Sequence, residues 1–256
     1  MGFEVDADAY DRYMGRYSAR LAPSLADFAA VRAGQSALDV GCGPGALTAE
    51  LVRRLGRDAV AAVDPSESFI AAARTRHPGV DIRLSTAGNL PYPNGTFDAT
   101  LAQLVVHFMS DPVAGLAEMA RVTRAGGVVA ACVWDFAGER APISAFWQAA
   151  RELDSGAEDE SGLAGARAGH LSELFEAAGL RNVEEATLSA SVDYATFDEW
   201  WGPFTLGVGP AGDYAQALGE AGQSALRERC RQLLPEAPFT LRAFAWAARG
   251  IPAADG

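Results

Sequence analysis

This sequence predicts an α/β fold built on a doubly wound, open, mostly parallel sheet, and three observations predict it. From residue 36 onward short apolar runs alternate with helix-like segments, one strand runs directly into a glycine-rich turn at 41–45, and residues 127–134 (GVVAACVW) are apolar almost throughout. Such alternation builds right-handed βαβ units. A strand without polar interruptions suits the centre of a parallel sheet, where both faces are covered.

Taken in order, residues 8–31 form a helix ahead of the first strand, which is 36–40 (SALDV). An amphipathic helix over 44–55 follows, with Pro44 in its first turn, where a missing N–H costs nothing. The second strand is 58–64 (DAVAAVD), followed by a helix over 66–76 that Ser66 can cap. A weaker strand lies at 80–84. The turn-rich PYPNGT at 91–96 leads into a fourth strand at 97–104, and the helix over 112–124 stops at Gly126-Gly127 before the fifth strand, 127–134. Residues 183–192 and 239–247 alternate like an antiparallel edge pair around an insertion at 193–235. Insertions of that length in a compact domain are usually lids or binding loops.

Composition narrows the function. The chain has 256 residues, is 49% hydrophobic and 21% charged, and carries a net charge of −12, as a soluble globular protein with a sizeable core does. All 21 basic residues are arginines, so Schiff-base chemistry, a pyridoxal anchor and the phosphate-loop and kinase lysines are excluded. The negative charge argues against a nucleic-acid partner. Cys42, Cys132 and Cys230 are odd in number and far apart, which points to a reducing compartment. With His77, His107 and His170 they show no zinc-site spacing, so no metal is expected. The acidic start and the lack of an apolar run near ~20 residues predict a cytoplasmic protein that does not enter membranes.

The strongest chemical signal is ALDVGCGPGALT at 37–48. Glycines at 41, 43 and 45 let the backbone approach a ligand closely, with free helix N–H groups beyond them. Asp64 ends the next strand 23 residues after Gly41, where a carboxylate either accepts from ribose hydroxyls or merely caps the following helix. GCGPGA also satisfies the dinucleotide pattern G-x-G-x-x-A, which keeps an NAD(P)-dependent oxidoreductase open. Asp39, two residues before Gly41, suits a ligand bearing an ammonium group and would repel a pyrophosphate.

DVGCGPG at 39–45, VDPSESFIAAAR at 63–74, LPYPNGTFDAT at 90–100 and RVTRAGGVV at 121–129 resemble the class I S-adenosylmethionine-dependent methyltransferases, in their small-molecule branch near the ubiquinone and menaquinone biosynthesis enzymes. The resemblance covers roughly residues 10–135. It implies a Rossmann-like, seven-stranded α/β/α sandwich with an antiparallel last strand pair, as a single domain over 1–256 with a helical lid over 1–33. It implies S-adenosylmethionine as cofactor and S-adenosylhomocysteine as product, the methionine part over Asp39, Gly41, Cys42 and Gly43 and the ribose on Asp64. Adenine would lie between Pro65, Ser66 and the loop around Ala87 and Gly88, and Gln103 beside the sulfonium through its backbone. Thr86 stands where many relatives have an adenine-binding aspartate, with Asn89 nearby, and Arg124-Ala125-Gly126-Gly127 replaces a Lys-Pro-Gly-Gly turn.

For the acceptor, His107 is the candidate general base, since an ordinary histidine has a pKa of ~6.5; the alternative is a histidine bonded to backbone. Tyr10, Tyr13 and Tyr17 share one face of the first helix at spacings of 3 and 4. They either pack on the sheet or, as the resemblance implies, form a lid with Tyr17 and Arg16 or Arg20 near the methionine carboxylate. Trp134 and Asp135 face the crevice at the end of the fifth strand. Trp200, Trp201 and Phe204 wall an apolar acceptor pocket or form a satellite core. Tyr13, Arg16, Trp134, Trp200 and Trp201 are thus the candidate substrate contacts. His170 reads as structural. The expected partner is a small-molecule acceptor, and the expected assembly a monomer or homodimer; a non-catalytic S-adenosylmethionine-binding protein is the remaining alternative.

Overall fold

The computed structural model describes residues 7–253; residues 1–6 of the expected lid lie outside the described residues. Seven strands form one sheet: β1 Ala37–Val40, β2 Val60–Asp64, β3 Asp81–Leu84, β4 Phe97–Gln103, β5 Thr123–Trp134, β6 Arg181–Tyr194 and β7 Phe239–Ile251, in the order β3-β2-β1-β4-β5-β7-β6. β1 to β5 pair in parallel, while β7 inserts antiparallel between β5 and β6. The expected Rossmann-like sheet with its antiparallel last pair is therefore present. The chain leaves β1 towards β2 on one side and β4 on the other, so a crevice opens at their carboxyl ends.

The described residues begin with α1 Ala7–Tyr10, a π-helical turn at Asp11–Gly15 and α2 Arg16–Phe28. α3 Ala46–Leu55 and α4 Glu67–Arg76 follow β1 and β2; α5 Pro112–Val122 follows β4. α6 Ser144–Leu153 and α7 His170–Ala177 lie between β5 and β6, and α8 Phe197–Trp201, α9 Gly209–Ala217 and α10 Glu220–Leu233 between β6 and β7. Strand alternation sorts them into two layers. Leu21, Leu47, Leu101, Trp134 and Phe146 pack together on one face, beneath α2, α3 and α6. Leu38, Val40, Leu116, Val133 and Phe175 pack on the other, beneath α5 and α7.

Several boundaries differ from expectation, most of them by one to four residues, and those around β5 and the insertion bear on packing. The helix expected over 112–124 ends at Val122, because Thr123 is captured by the sheet opposite Phe97. Gly126 and Gly127 thus lie in the irregular opening of β5; a side chain on Gly127 would sit 2.6 Å from the Asp98 carbonyl of β4. The β6–β7 ladder extends to the pair Tyr194 and Phe239, so the connection runs over 195–238, against the expected 193–235. That segment is helical and sits on the core: Phe204 stacks 4.6 Å from Phe146, and Leu226 and Cys230 are fully buried. Among the described residues no helix is long and apolar enough to cross a membrane, and no group of ligating side chains has a metal-site arrangement.

Candidate cofactor crevice

β1 ends in a turn whose glycines adopt left-handed backbone, with φ of 73° at Gly41 and 53° at Gly43. The two serve different ends. A β-carbon on Gly41 would lie 2.5 Å from a methyl of Val105, so this glycine lets the turn pack against the end of β4. A β-carbon on Gly43 would meet nothing within 4 Å, leaving its backbone open to the crevice. Gly41 and Cys42 donate to the Val63 carbonyl, at 2.8 and 3.0 Å, tying the turn to β2.

Asp64 completes that tie. One carboxylate oxygen accepts from the Gly43 N–H at 2.9 Å and the other from the Ser66 N–H at 2.8 Å. A carboxylate offers about four lone-pair positions, so both oxygens retain capacity towards the crevice. Helix capping therefore falls to Ser66, whose hydroxyl accepts from Phe69 N–H. Asp39 is 1% exposed; one oxygen accepts from the Thr48 hydroxyl at 2.7 Å, and the other has no partner. Burial pushes the Asp39 carboxyl up to about 7, with the Thr48 bond opposing and the Asp64 charge adding. Burial raises Asp64 as well, against the two backbone bonds.

These groups line a crevice of about 1180 Å³. Asp11, Asp39, Asp64, Glu67 and Asp111 line it against one arginine, Arg76, whose guanidinium is held by Asp11 at 2.6 Å. Such a lining attracts cations and repels a pyrophosphate.

The crevice brings together ten expected residues: Asp39, Gly41, Cys42, Gly43, Asp64, Pro65, Ser66, Ala87, Gly88 and Gln103. Thr86 lines it too; Asn89 does not. Other expected contacts lie elsewhere. Tyr17 is 1% exposed in the core, accepting from the Tyr194 hydroxyl at 3.1 Å and meeting the Trp134 ring edge-on. Arg16 and Arg20 turn to β6, donating to the carbonyls of Asp193 and Ser191 at 2.9 and 2.8 Å. Tyr13 packs against Phe204, 5.4 Å between ring centres. Trp134, Trp200 and Trp201 are buried in the main core, in one cluster with Leu21, Leu47 and Leu101, and do not line the crevice. Asp135 holds Arg140 and the Gly138 N–H, away from the crevice.

His107 lies outside the crevice lining as well. Its ring is buried against Phe108 and Phe136 and does not line the crevice. Burial pushes it down to about 3, so it is neutral and a poor proton acceptor at neutral pH. His170 is structural, accepting from the Gly165 N–H at 3.3 Å.

Two features went unread: the π turn after Tyr10, one of the three expected lid tyrosines, and the rim after β4. Tyr10 lines the crevice, 5.2 Å from the Phe69 ring. The π turn over 11–15 changes the helical register, separating Tyr10 from Tyr13 and Tyr17, and no residue type announces such a turn. Phe108, Met109 and Asp111 line the rim after β4, and Leu104 takes a left-handed φ of 61° there. Left-handed backbone at a side-chain-bearing residue marks local strain, which residue identity does not reveal.

Residues 38–131, containing the glycine turn, Asp64 and β4, match the methyltransferase domain family. Over this stretch the chain is similar to that family. The chain is 34% identical over 140 residues to an uncharacterized methyltransferase of Mycobacterium tuberculosis, covering 55% of this chain and 54% of the relative. It is 37% identical over 101 residues to a demethylmenaquinone methyltransferase of Beutenbergia cavernae, covering 40% of this chain and 41% of that one. The matched stretches thus span about half, or less, of these relatives. Among solved structures, the YcgJ protein of Bacillus subtilis superposes with a TM-score of 0.56 at 18% identity, over 92% of this chain and 98% of its own. A geranyl diphosphate methyltransferase in complex with S-adenosylmethionine superposes with a TM-score of 0.51 at 17% identity, over 91% of this chain and 84% of its own. Both support the fold.

Proposed function

We propose that the crevice binds S-adenosylmethionine and that the protein transfers its methyl group to a small-molecule acceptor. The observation that carries this reading is the pair of buried carboxylates at the ends of β1 and β2, Asp39 with an unpaired oxygen and Asp64 with spare capacity, in a crevice where five carboxylates meet one arginine. That donor set fits a cationic nucleoside bearing an amino acid and disfavours the pyrophosphate of NAD(P). When bound, the cofactor supplies an electrophilic methyl on a sulfonium, open to in-line displacement.

The chain's own residues bind and orient. The free oxygen of Asp39 accepts from the ammonium group, Asp64 accepts from the ribose hydroxyls, and the open face of Gly43 admits the ligand to backbone contact. Tyr10 and Phe69 close one end and exclude water. Alignment of this kind supplies ~7–11 kcal/mol of barrier reduction. His107 holds no proton for the reaction, and His77, which lines the crevice, is engaged at 3.0 Å with the Gly45 carbonyl. An acceptor proton therefore leaves to solvent or to a rim carboxylate. Held by Asp39, Asp64 and the Gly43 backbone, the cofactor would supply a methyl whose carbon–sulfur electron pair would stay on sulfur as a lone pair of the acceptor formed the new bond.

The test is turnover of methyl-labelled S-adenosylmethionine over a panel of small hydroxyl, amine, thiol and carboxylate compounds. Acceptor-dependent label transfer is expected. Cofactor binding without transfer to any compound contradicts the catalytic reading in favour of a binding protein.

Cofactor binding is also expected to depend on pH through Asp39. With its carboxyl near 7, the ligand-free group keeps its proton below that pH, while an ammonium partner favours the carboxylate. Binding then releases a proton below about 7, and affinity rises with pH through that value before levelling off. The fold responds oppositely: a raised acid contributes stability below its unfolded value, lost as pH climbs from about 4 to about 7. Calorimetry of S-adenosylhomocysteine binding in two buffers of different ionisation enthalpy measures the release. Asp39→Asn should abolish it.

A further inference from the structure

We propose that the Gln103 side chain selects the methyl acceptor, its amide oxygen taking a hydrogen bond from an N–H or O–H group on that molecule; the inference rests on the methyltransferase reading above. Among the described residues, five buried side-chain atoms lack a partner, on Asp39, Gln103, His107, Trp134 and Trp246. Only Asp39 and Gln103 of these line the crevice. Buried polar atoms in native proteins are nearly all paired, so each exception asks for an explanation. A cationic cofactor explains the Asp39 oxygen. It leaves the Gln103 oxygen unexplained.

The amide's orientation follows from its neighbour. The Gln103 Nε2 donates to the Ser18 carbonyl at 3.0 Å, and a carbonyl only accepts, so the NH₂ must face Ser18. Oε1 is thereby directed elsewhere, at the last residue of β4, with the residue 8% exposed. Ser18 lies on α2, so Gln103 bridges the sheet end and the helix beside the crevice. Asp64, where the ribose is proposed to bind, lies at the end of β2, two strands away. The Gln103 end is thus the side left for the acceptor. An amide oxygen is neutral and takes no proton from its partner, so it orients the acceptor and does not act as a base. A site built to accept a hydrogen bond rejects analogues that lack the donor. The acceptor class is therefore alcohols, phenols and primary or secondary amines, in preference to carboxylates and ethers.

The test uses matched pairs of probes: phenol against anisole, benzyl alcohol against benzyl methyl ether, aniline against N,N-dimethylaniline. Binding to the protein saturated with S-adenosylhomocysteine is followed by ligand-observed NMR. The donor-bearing member of each pair is expected to bind roughly tenfold more tightly. Gln103→Met should erase that preference while changing S-adenosylhomocysteine affinity by less than about threefold. The preference of the wild-type protein within each pair is read without any variant, so the proposal stays testable should the Met variant loosen α2. Equal binding within every pair, or no binding of any donor-bearing probe, overturns the proposal. So does a preference that persists in Gln103→Met while cofactor affinity falls about tenfold, since the oxygen then serves the cofactor. Failure of the wild-type protein to bind S-adenosylhomocysteine is a distinct result, which overturns the methyltransferase reading itself.

Discussion

Asp64→Ala is expected to weaken S-adenosylhomocysteine binding by roughly 100-fold or more, read by calorimetry. Hydrogen bonds to a charged group contribute ~1.5–3 kcal/mol each, and two ribose hydroxyls would donate to this carboxylate. The same oxygens hold the Gly43 and Ser66 N–H groups, so the turn and the start of α4 lose their common anchor. Asn does not rescue the site. Both carboxylate oxygens accept from backbone N–H, and an Asn NH₂ would set donor against donor at one of them. Asp64→Asn should therefore lose most of the affinity as well. Affinity within threefold of wild type in both variants would remove Asp64 from the site.

Gly43→Val separates the cradle from the fold. Its β-carbon would point into open space, so the fold pays only for left-handed backbone, ~1–2 kcal/mol. A thermal shift of a few degrees is expected, together with loss of S-adenosylhomocysteine affinity by more than about tenfold as the side chain fills the crevice. Gly41→Ala has the opposite signature. Its β-carbon meets Val105 at 2.5 Å, overpacking that typically costs ~1–3 kcal/mol in addition to the backbone strain. It should lower the melting temperature more than Gly43→Val does. Normal cofactor binding by folded Gly43→Val would show that the turn is not the cradle.

The parallel half of the fold was legible because its signals are local. An apolar run, a tight turn and a helix start lie within about a dozen residues of one another at 37–55, where glycines make the turn, and at 60–76, where Asp64 ends the strand and Ser66 caps the helix. The crevice residues on those turns were legible for the same reason: Asp39, Gly43 and Asp64 belong to strand ends whose direction the βαβ unit dictates. Residues placed by packing between distant elements were not. Tyr17 pairs with Tyr194, and Trp201 joins Phe146, contacts that no periodicity encodes. Their apolar spacing fits a lid or a core equally, and burial chose the core. His107 sits where a base was expected, but the turn after β4 places its ring behind Phe108 and Phe136. The π turn that parts Tyr10 from Tyr13 and Tyr17 was not legible either.

A crystal structure of the complex with S-adenosylhomocysteine addresses most directly the claim that acidic strand ends grip an amino-acid-bearing nucleoside. The account predicts both ribose hydroxyls within hydrogen-bond distance of Asp64 and the ligand's ammonium on the free oxygen of Asp39. A sugar bound away from β2, or an amino group that leaves Asp39 unpaired, would contradict it.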